Sequence, residues 1–208
     1  MTGLLIAFVI TLLVPLFVGT WRTSLLGLSV QGALMAAIAI HHHGVHLSVR
    51  SGITLFDLVV LRGFGLPLAL YFVLRARGAS ARNDVIAPNL FSWAMALALI
   101  VFAFRAADVL VPADGDEQTL VAVAASALLL GMVVLSTGRG PTSQIIGLMR
   151  IENAVALFEL GGNPDHESIG IRLGQTAVLL VSIGFYRWYL IGLSGEESAS
   201  SRRGALPL

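Results

Sequence analysis

Long apolar stretches recur along this chain, and they constrain its fold more than any other feature of the sequence. A helix needs about 20 mainly apolar residues to cross a bilayer, with a range of about 17–25. Seven stretches fall within or close to that range, namely residues 3–20, 24–40, 53–74, 89–104, 118–137, 142–160 and 169–193. The sequence therefore predicts an all-α protein, a polytopic bundle of about seven transmembrane helices.

Composition excludes the soluble classes. Of the 208 residues, 56% are hydrophobic and 12% are charged, whereas soluble domains are about 45–50% apolar and about 25% charged. The net charge of +1 provides no basic face for phosphates, so we expect no nucleic-acid partner. All 13 basic residues are arginine and there is no cysteine. Thiol-bound metals and lysine Schiff bases are therefore excluded, and we expect no cofactor in this chain.

The distribution of arginine predicts the orientation. With the N-terminus outside, the cytoplasmic side holds seven arginines, Arg22, Arg75, Arg77, Arg82, Arg139, Arg202 and Arg203. The outer side then holds only Arg50, Arg105 and most of the acids. Because cytoplasmic loops carry an excess of basic residues, we expect the N-terminus outside and the C-terminus in the cytoplasm.

A histidine cluster lies in the predicted outer loop 41–52, which contains His41, His42, His43 and His46. A solvated interfacial loop is the favoured interpretation. A pH-sensing role and a contact with another protein chain remain open, while haem ligation would need histidines deeper on facing helices.

A faint internal repeat divides the chain. An arginine turn, a Thr-Ser pair and a Gly-Leu pair follow both the first and the fifth stretch, at Trp21-Arg22, Thr23-Ser24 and Gly27-Leu28, and at Arg139, Thr142-Ser143 and Gly147-Leu148. We therefore predict a three-helix unit over 1–75, a linker with the fourth helix over 76–117, a second three-helix unit over 118–193 and a disordered cytoplasmic tail over 194–208. The single added helix gives both units the same orientation, so the units are parallel.

Acidic residues at membrane depth are candidate functional groups, because a charge in hydrocarbon costs at least about 2.5–3.5 kcal/mol. Glu152 lies about 15 Å into the sixth stretch, near the midplane, and Asn153 adjoins it. It is either a protonatable carboxylate in a buried polar chain, which we favour, or a helix-packing carboxylate. Glu159 lies two turns further along the same face, near the outer boundary, where the structural interpretation is favoured.

Arg62 lies near mid-depth in the third stretch, too deep to snorkel easily, so it needs an anion. The candidates are Glu152 and Asp57, although Asp57 falls on a different face of an α-helix and lies near the outer edge, where water can solvate it. Arg150, two residues before Glu152, points in another direction. Three further polar residues in the spans are candidates for interhelical hydrogen bonds, Gln31, Ser29 and Gln175.

The segment Gly147-Leu148-Met149-Arg150-Ile151-Glu152-Asn153-Ala154 resembles the helix of hydrogenase-4 component E that carries a Met-Glu-Asn sequence at the same place. In the third stretch, a basic residue, a proline, a tyrosine and a terminal arginine also match that family in spacing, as Arg62, Pro67, Tyr71 and Arg75. The similarity covers nearly the whole chain. Each three-helix unit is also similar to subunit K of NADH–quinone oxidoreductase and to the corresponding three-helix protein of the multisubunit cation/proton antiporters.

The sequence departs from subunit K at its two buried glutamates. The first of these glutamate positions corresponds to Ser29 in the first three-helix unit and to Met149 in the second, where Glu152 lies about one turn further on. The second falls on Arg62 and close to Gly174.

This resemblance implies an integral subunit of a complex-I-like or group 4 hydrogenase-like assembly in the bacterial cytoplasmic membrane. Antiporter-like and other membrane-arm subunits would be its partners, and it would contribute to proton or sodium translocation. Glu152 carries over as the buried acid, Asn153 as its neighbour and Arg62 as the basic residue, with Asp57 and Glu159 as further proton-path candidates. Any redox catalysis would belong to other subunits.

Two alternatives remain. One is a structural adaptor that conducts no ions, and the other is a small-solute permease. Permeases often show inverted repeats and a binding site at the midplane, so the parallel repeat and the lack of a polar midplane cluster disfavour that class.

Overall fold

The computed structural model describes residues 1–17, 20–43, 49–76, 90–111, 115–138 and 140–161, together with helical residues, separated by gaps, between 174 and 192. Its elements are α1 (Thr2–Phe17), α2 (Trp21–His43), α3 (Val49–Leu55), a π-helical segment (Phe56–Gly65), α4 (Leu66–Ala76), α5 (Leu90–Leu110), α6 (Asp116–Thr137) and α7 (Pro141–Leu160). No strand occurs among these residues, and the all-α prediction is confirmed.

Among the described residues, four helices are long and apolar enough to cross a membrane, Trp21–His42, Ser51–Arg75, Leu90–Leu110 and Asp116–Thr137. The second of these joins α3, the π segment and α4 into one rod. Helix α1 contributes a shorter apolar stretch, Thr2–Val14. Helix α7 is not among the four, and it carries Arg150, Glu152 and Glu159 within its length. The chain is thus a helical membrane protein by the length and composition of its helices.

Several helices extend beyond the apolar stretches that predicted them. His41 and His42 belong to the last turn of α2, and Arg105 and Asp108 lie within α5, although the sequence predicted loops at these positions. Trp21 begins α2, so the predicted turn at Trp21-Arg22 is wrong as well. Hydropathy marks where apolar side chains end, whereas backbone hydrogen bonding continues through polar residues that tolerate a helix. His46 and Arg139 lie outside the described residues.

The π segment interrupts the α-helical hydrogen-bond pattern in the middle of the continuous helix Ser51–Arg75. At its end, the Leu66 N–H donates to the carbonyl of Leu61, five residues earlier. Pro67 follows at once and has no N–H to donate, and a proline ring also crowds the carbonyl four residues before it. Pro67 therefore disrupts the α-helical hydrogen bonds just before it, and the backbone forms the wider turns of a π-helix over Phe56–Gly65.

Helix α7 packs against α6 and α2, and most of its residues are buried, while α1 contacts both α2 and α6. Two glycines allow close approach. Gly147 of α7 faces the backbone of Leu135 in α6, and Gly32 of α2 faces the backbone of Gly63 in the π segment. Two polar side chains of α7 at mid-depth, Arg150 and Asn153, are buried against neighbouring helices. Helix α5 lies at the edge, packed mainly on α6, with most of its apolar side chains exposed.

Candidate functional site

Arg62 is the centre of a buried polar cluster between the π segment, α2 and α7. Its side chain is 8% exposed, and its Nε donates a hydrogen bond of 2.9 Å to Oδ2 of Asp57. Its Nη1 donates to the backbone carbonyl of Glu152 at 3.0 Å and to Oδ1 of Asn153 at 3.4 Å. The guanidinium therefore has one carboxylate partner and two neutral acceptors, which is the arrangement a buried cation needs.

The pairing of Arg62 with Asp57 corrects the expectation that these residues lie on different faces. That expectation assumed an α-helix throughout the third stretch. In a π-helix the hydrogen bonds join residues five apart, so residue i+5 lies one turn above residue i. Asp57 and Arg62 are five residues apart within the π segment, and the wider turn places them side by side. Asp57 is accordingly an ion-pair partner and not a solvated edge residue.

Gln31 extends the cluster into α2. The Nδ2 of Asn153 donates to Oε1 of Gln31 at 3.3 Å, and both side chains are buried. Gln31 thus forms the interhelical hydrogen bond that the sequence predicted. Ser29 is half-buried on α2 and makes no such bond within the described part of the chain. Gln175 lies outside the described residues.

The cluster lies at mid-depth. Gln31 is near the middle of Trp21–His42, Arg62 is near the middle of Ser51–Arg75, and Glu152 is near the middle of α7. The argument against a permease assumed that no polar cluster lies at the midplane, and that expectation is wrong. The reason is tertiary, because each helix contributes only one or two polar residues and the packing of three helices brings them together.

The carboxylate of Glu152 has polar neighbours of its own. Its side chain is half-buried, and the side chains of Ser182 and Arg62 are both close enough to interact with it. Tyr186 also lies close enough to the Glu152 carboxylate for the two groups to interact electrostatically. Within the described residues, its Oε2 is buried without a hydrogen-bond partner. Glu152 therefore lies in a polar seam between α7, the π segment and the C-terminal helical residues.

A small cavity lies between Asp57 and Glu159, at the end of the cluster where α7 finishes. Its volume is about 20 Å³, and Thr54, Ala156 and Thr176 also line it. One water molecule needs about 10–15 Å³ of such space and two or more polar partners. The Oδ1 atom of Asp57 is buried and has no partner among the described residues. The cavity can thus hold one water between two carboxyl groups.

Arg150 points away from this cluster, as the sequence predicted. Its side chain lies across α7 from Glu152 and extends to α1, where its Nη1 donates to the carbonyl of Leu12 at 3.4 Å. The histidine cluster is only partly described, and in it the N-terminal amine lies 3.4 Å from Nε2 of His41. No group of three or more His, Asp or Glu side chains among the described residues could hold a metal ion.

Sequence reasoning missed two neighbours of Glu152, Ser182 and Tyr186, because pairing between distant helices leaves no local signal. It also missed the burial of Arg150. That burial had a usable signal, since Arg150 stands as deep in its span as Arg62 does and has the same need for a counter-ion.

No protein-family model, no curated protein and no solved structure matches this chain. The resemblance to hydrogenase-4 component E consequently rests on the motifs of the sequence alone. The part of the chain that the structure describes is all-helical, with four helices that can span a membrane and a buried polar cluster at mid-depth.

Proposed function

We propose that this chain is an integral-membrane subunit of a complex-I-like or group 4 hydrogenase-like assembly and contributes to proton or sodium translocation beside an antiporter-like subunit. One observation carries the proposal. Polar side chains form a continuous series through the bundle, from Gln31 through Asn153 and Arg62 to Asp57, with a cavity between Asp57 and Glu159. Intramembrane ionisable groups in such a series typically mark ion and proton pathways.

In this proposal Glu152 is the group that accepts and releases the ion. Asp57 and Asn153 hold Arg62 in place, so the cation stays near Glu152 while the carboxylate itself keeps one oxygen, Oε2, without a hydrogen bond among the described residues. A free lone pair is what a proton or sodium ion needs. Glu159 and the cavity beside Asp57 would connect the series to the outer surface.

The proposal includes the finer topology that the sequence predicts. The chain would cross the bacterial cytoplasmic membrane about seven times as two parallel three-helix units, with the N-terminus outside. The four long apolar helices and the shorter α1 support this arrangement. The seam around Glu152 would face a neighbouring subunit.

Purification from native membranes in mild detergent tests the setting, because the co-purifying subunits identify the assembly. In that intact complex, Glu152→Gln should leave assembly and electron transfer in place and abolish ion translocation into inverted vesicles. Glu117→Gln, at an exposed glutamate in the first turn of α6, is the matched control. Normal coupled translocation by the Glu152→Gln complex would overturn the proposal.

A structural adaptor is the second candidate, and the internal satisfaction of Arg62 favours it. Arg62 bonds the backbone of Glu152, so the cluster can serve simply to fix α7 against the π segment. An adaptor predicts normal translocation in Glu152→Gln, together with loss of the complex on a native gel when an exposed apolar residue of α5 such as Phe102 is changed to alanine.

A small-solute permease is a third candidate, because the polar cluster at mid-depth removes one of the two observations against it. Solute uptake by the chain alone, reconstituted into vesicles, would favour that class over both others.

A further inference from the structure

A pocket of about 200 Å³ lies between α1, α5, α6 and α7, and none of the residues that line it belongs to the polar cluster. Its walls are mainly apolar, and the charged group that lines it is Arg150. The pocket is partly enclosed, and two of its lining residues are exposed, Phe91 at the start of α5 and Thr137 at the end of α6. Its mouth therefore lies at the end of the bundle where α5 begins and α6 ends.

Arg150 is a buried cation whose charge is not neutralised by the described part of the chain. The residue is 2% exposed, and the hydrogen bond that it makes within the described residues is the 3.4 Å contact with the carbonyl of Leu12. Its Nε is buried without a partner, and no carboxylate among the described residues pairs with it. A buried guanidinium with a single long bond to a neutral acceptor is unfavourable unless an anion from outside the chain completes it.

The depth of the guanidinium indicates where that anion comes from. Leu12 is five residues before the end of α1, which corresponds to about 8 Å along the helix axis at 1.5 Å per residue. Helical side chains lean towards the N-terminus, so Arg150 leans towards the start of α7 and the mouth of the pocket. An anionic group that enters from the membrane interface can thus reach Arg150 without crossing the hydrocarbon core.

The pocket walls indicate what the anion is attached to. A free inorganic anion would lose its hydration against Met95, Val133 and Val134 and gain only the guanidinium. An amphiphile would cover those apolar walls with its own carbon chain. About 200 Å³ is smaller than the roughly 300–1,000 Å³ of pockets that enclose a whole ligand. The pocket therefore fits the charged end of an amphiphile and its first carbons.

We propose that Arg150 and this pocket form a binding site for a membrane amphiphile with an anionic headgroup, either the carboxylate of a fatty acid or the phosphate of an anionic phospholipid. The headgroup pairs with the Arg150 guanidinium, and the hydrocarbon chain of the amphiphile lies against α5 and α6. This site is independent of the translocation proposal, because the residues that line it include none of those in the polar cluster.

Binding to the full-length protein, purified in a neutral detergent, tests the proposal. The probes are oleate, phosphatidylglycerol, phosphatidylcholine and inorganic phosphate, and native mass spectrometry measures the dissociation constants. Wild type should bind oleate, phosphatidylglycerol or both, and Arg150→Met should weaken that binding about 10- to 100-fold, the range for losing one charge-assisted bond. Arg105→Gln, at an exposed arginine on α5, is the control and should bind as wild type does.

The pattern of binding identifies the source of the headgroup. Arg150-dependent binding of oleate alone assigns a fatty acid, and Arg150-dependent binding of phosphatidylglycerol assigns a phospholipid. Phosphatidylglycerol binding no tighter than phosphatidylcholine binding, together with oleate binding that does not depend on Arg150, would overturn the proposal. Equal affinity of Arg150→Met and wild type for every amphiphile, or Arg150-dependent binding of inorganic phosphate alone, would each overturn it as well.

A second variant keeps the test valid if Arg150→Met folds poorly. Met95→Trp fills the pocket from α5, the least buried of the long helices, and leaves Arg150 in place. It should weaken oleate or phosphatidylglycerol binding at least 10-fold while thermal unfolding without added lipid stays as in wild type. Unchanged amphiphile binding in a folded Met95→Trp protein would contradict the proposed position of the amphiphile's hydrocarbon chain.

Discussion

Two buried arginines stand near mid-span in this protein, and their surroundings differ sharply. Arg62 is 7% exposed and donates to a carboxylate, a backbone carbonyl and a side-chain amide. Arg150 is 2% exposed and donates to one backbone carbonyl. A buried charge is stable only when partners replace the water it has lost. The chain therefore neutralises Arg62 by itself, whereas Arg150 depends on something outside the described residues.

The backbone accounts for the difference. The π segment places a carboxylate within reach of Arg62, because Asp57 lies five residues earlier in a helix whose turns join residues five apart. Helix α7 is α-helical on both sides of Arg150, so Glu152, two residues later, lies on another face of the helix. An acid close in sequence is thus a partner in one case and not in the other.

The largest expected effect comes from removing the carboxylate that neutralises Arg62. Asp57→Leu should lower the free energy of unfolding by about 3 kcal/mol, because it leaves a buried cation with neutral acceptors only. The measurement is unfolding by sodium dodecyl sulfate, followed by circular dichroism of the purified protein.

The double variant Asp57→Leu/Arg62→Met is the control for this experiment. It removes both charges together and should return to within about 1 kcal/mol of wild type, because an apolar pair of similar volume can replace a buried ion pair. Additive losses in the double variant would mean that the two side chains stabilise the fold through separate contacts, and the comparison with Arg150 would fail.

The sequence predicted an all-helical membrane protein, because the four long helices of the described residues are apolar runs, a signal that is local and redundant. It also predicted that Arg62 needs an anion and that Asp57 is a candidate. The pairing geometry was not predictable from periodicity, because the α-helical angle per residue does not hold in the π segment. Pro67 and the glycines before it were the available local signal, since they weaken the α-helical hydrogen-bond ladder.

The meeting of Gln31 with Asn153 depends on tertiary packing and has no counterpart in the sequence. Gly32 lies beside Gln31, and a Cβ there would come within 2.6 Å of the Gly63 backbone. That close approach lets α2 reach the cluster around Arg62. A single glycine in an apolar helix has many possible partners, so the sequence alone does not identify the contact.

Gly32→Ala should separate α2 from the π segment and loosen the cluster around Arg62, with a loss of about 2 kcal/mol in the free energy of unfolding. The atoms in the way are backbone atoms, which move only with their helix. Gly52→Ala is the matched control, because a Cβ at Gly52 meets nothing within 4 Å. It should stabilise the protein by up to about 1 kcal/mol through helix propensity. Losses of equal size in both variants would point to a general effect of the substitution.

Arg150→Met should change the free energy of unfolding by less than about 1 kcal/mol, with stabilisation as the expected sign, when the purified protein is free of added lipid. No carboxylate of the described residues is left unpaired by this change. The contrast with Arg62→Met is the sharpest form of the comparison, since that variant leaves Asp57 buried without its cation. A loss of about 3 kcal/mol in Arg150→Met would show that the chain neutralises Arg150 after all.

The smallest expected effect is at a third arginine, which calibrates the other two. The Arg105 side chain is 83% exposed, and its Nη1 lies 4.0 Å from Oδ2 of Asp108. Exposed pairs of this kind contribute about 0–1 kcal/mol, so Arg105→Gln should shift the unfolding free energy by no more than about 0.5 kcal/mol. We expect both Arg105→Gln and Arg150→Met to give small shifts in the unfolding free energy, and only Arg150→Met to lose amphiphile binding. In that case the loss of an arginine as such does not explain the lost binding. The property that makes Arg150 a binding residue is then its burial without an internal partner.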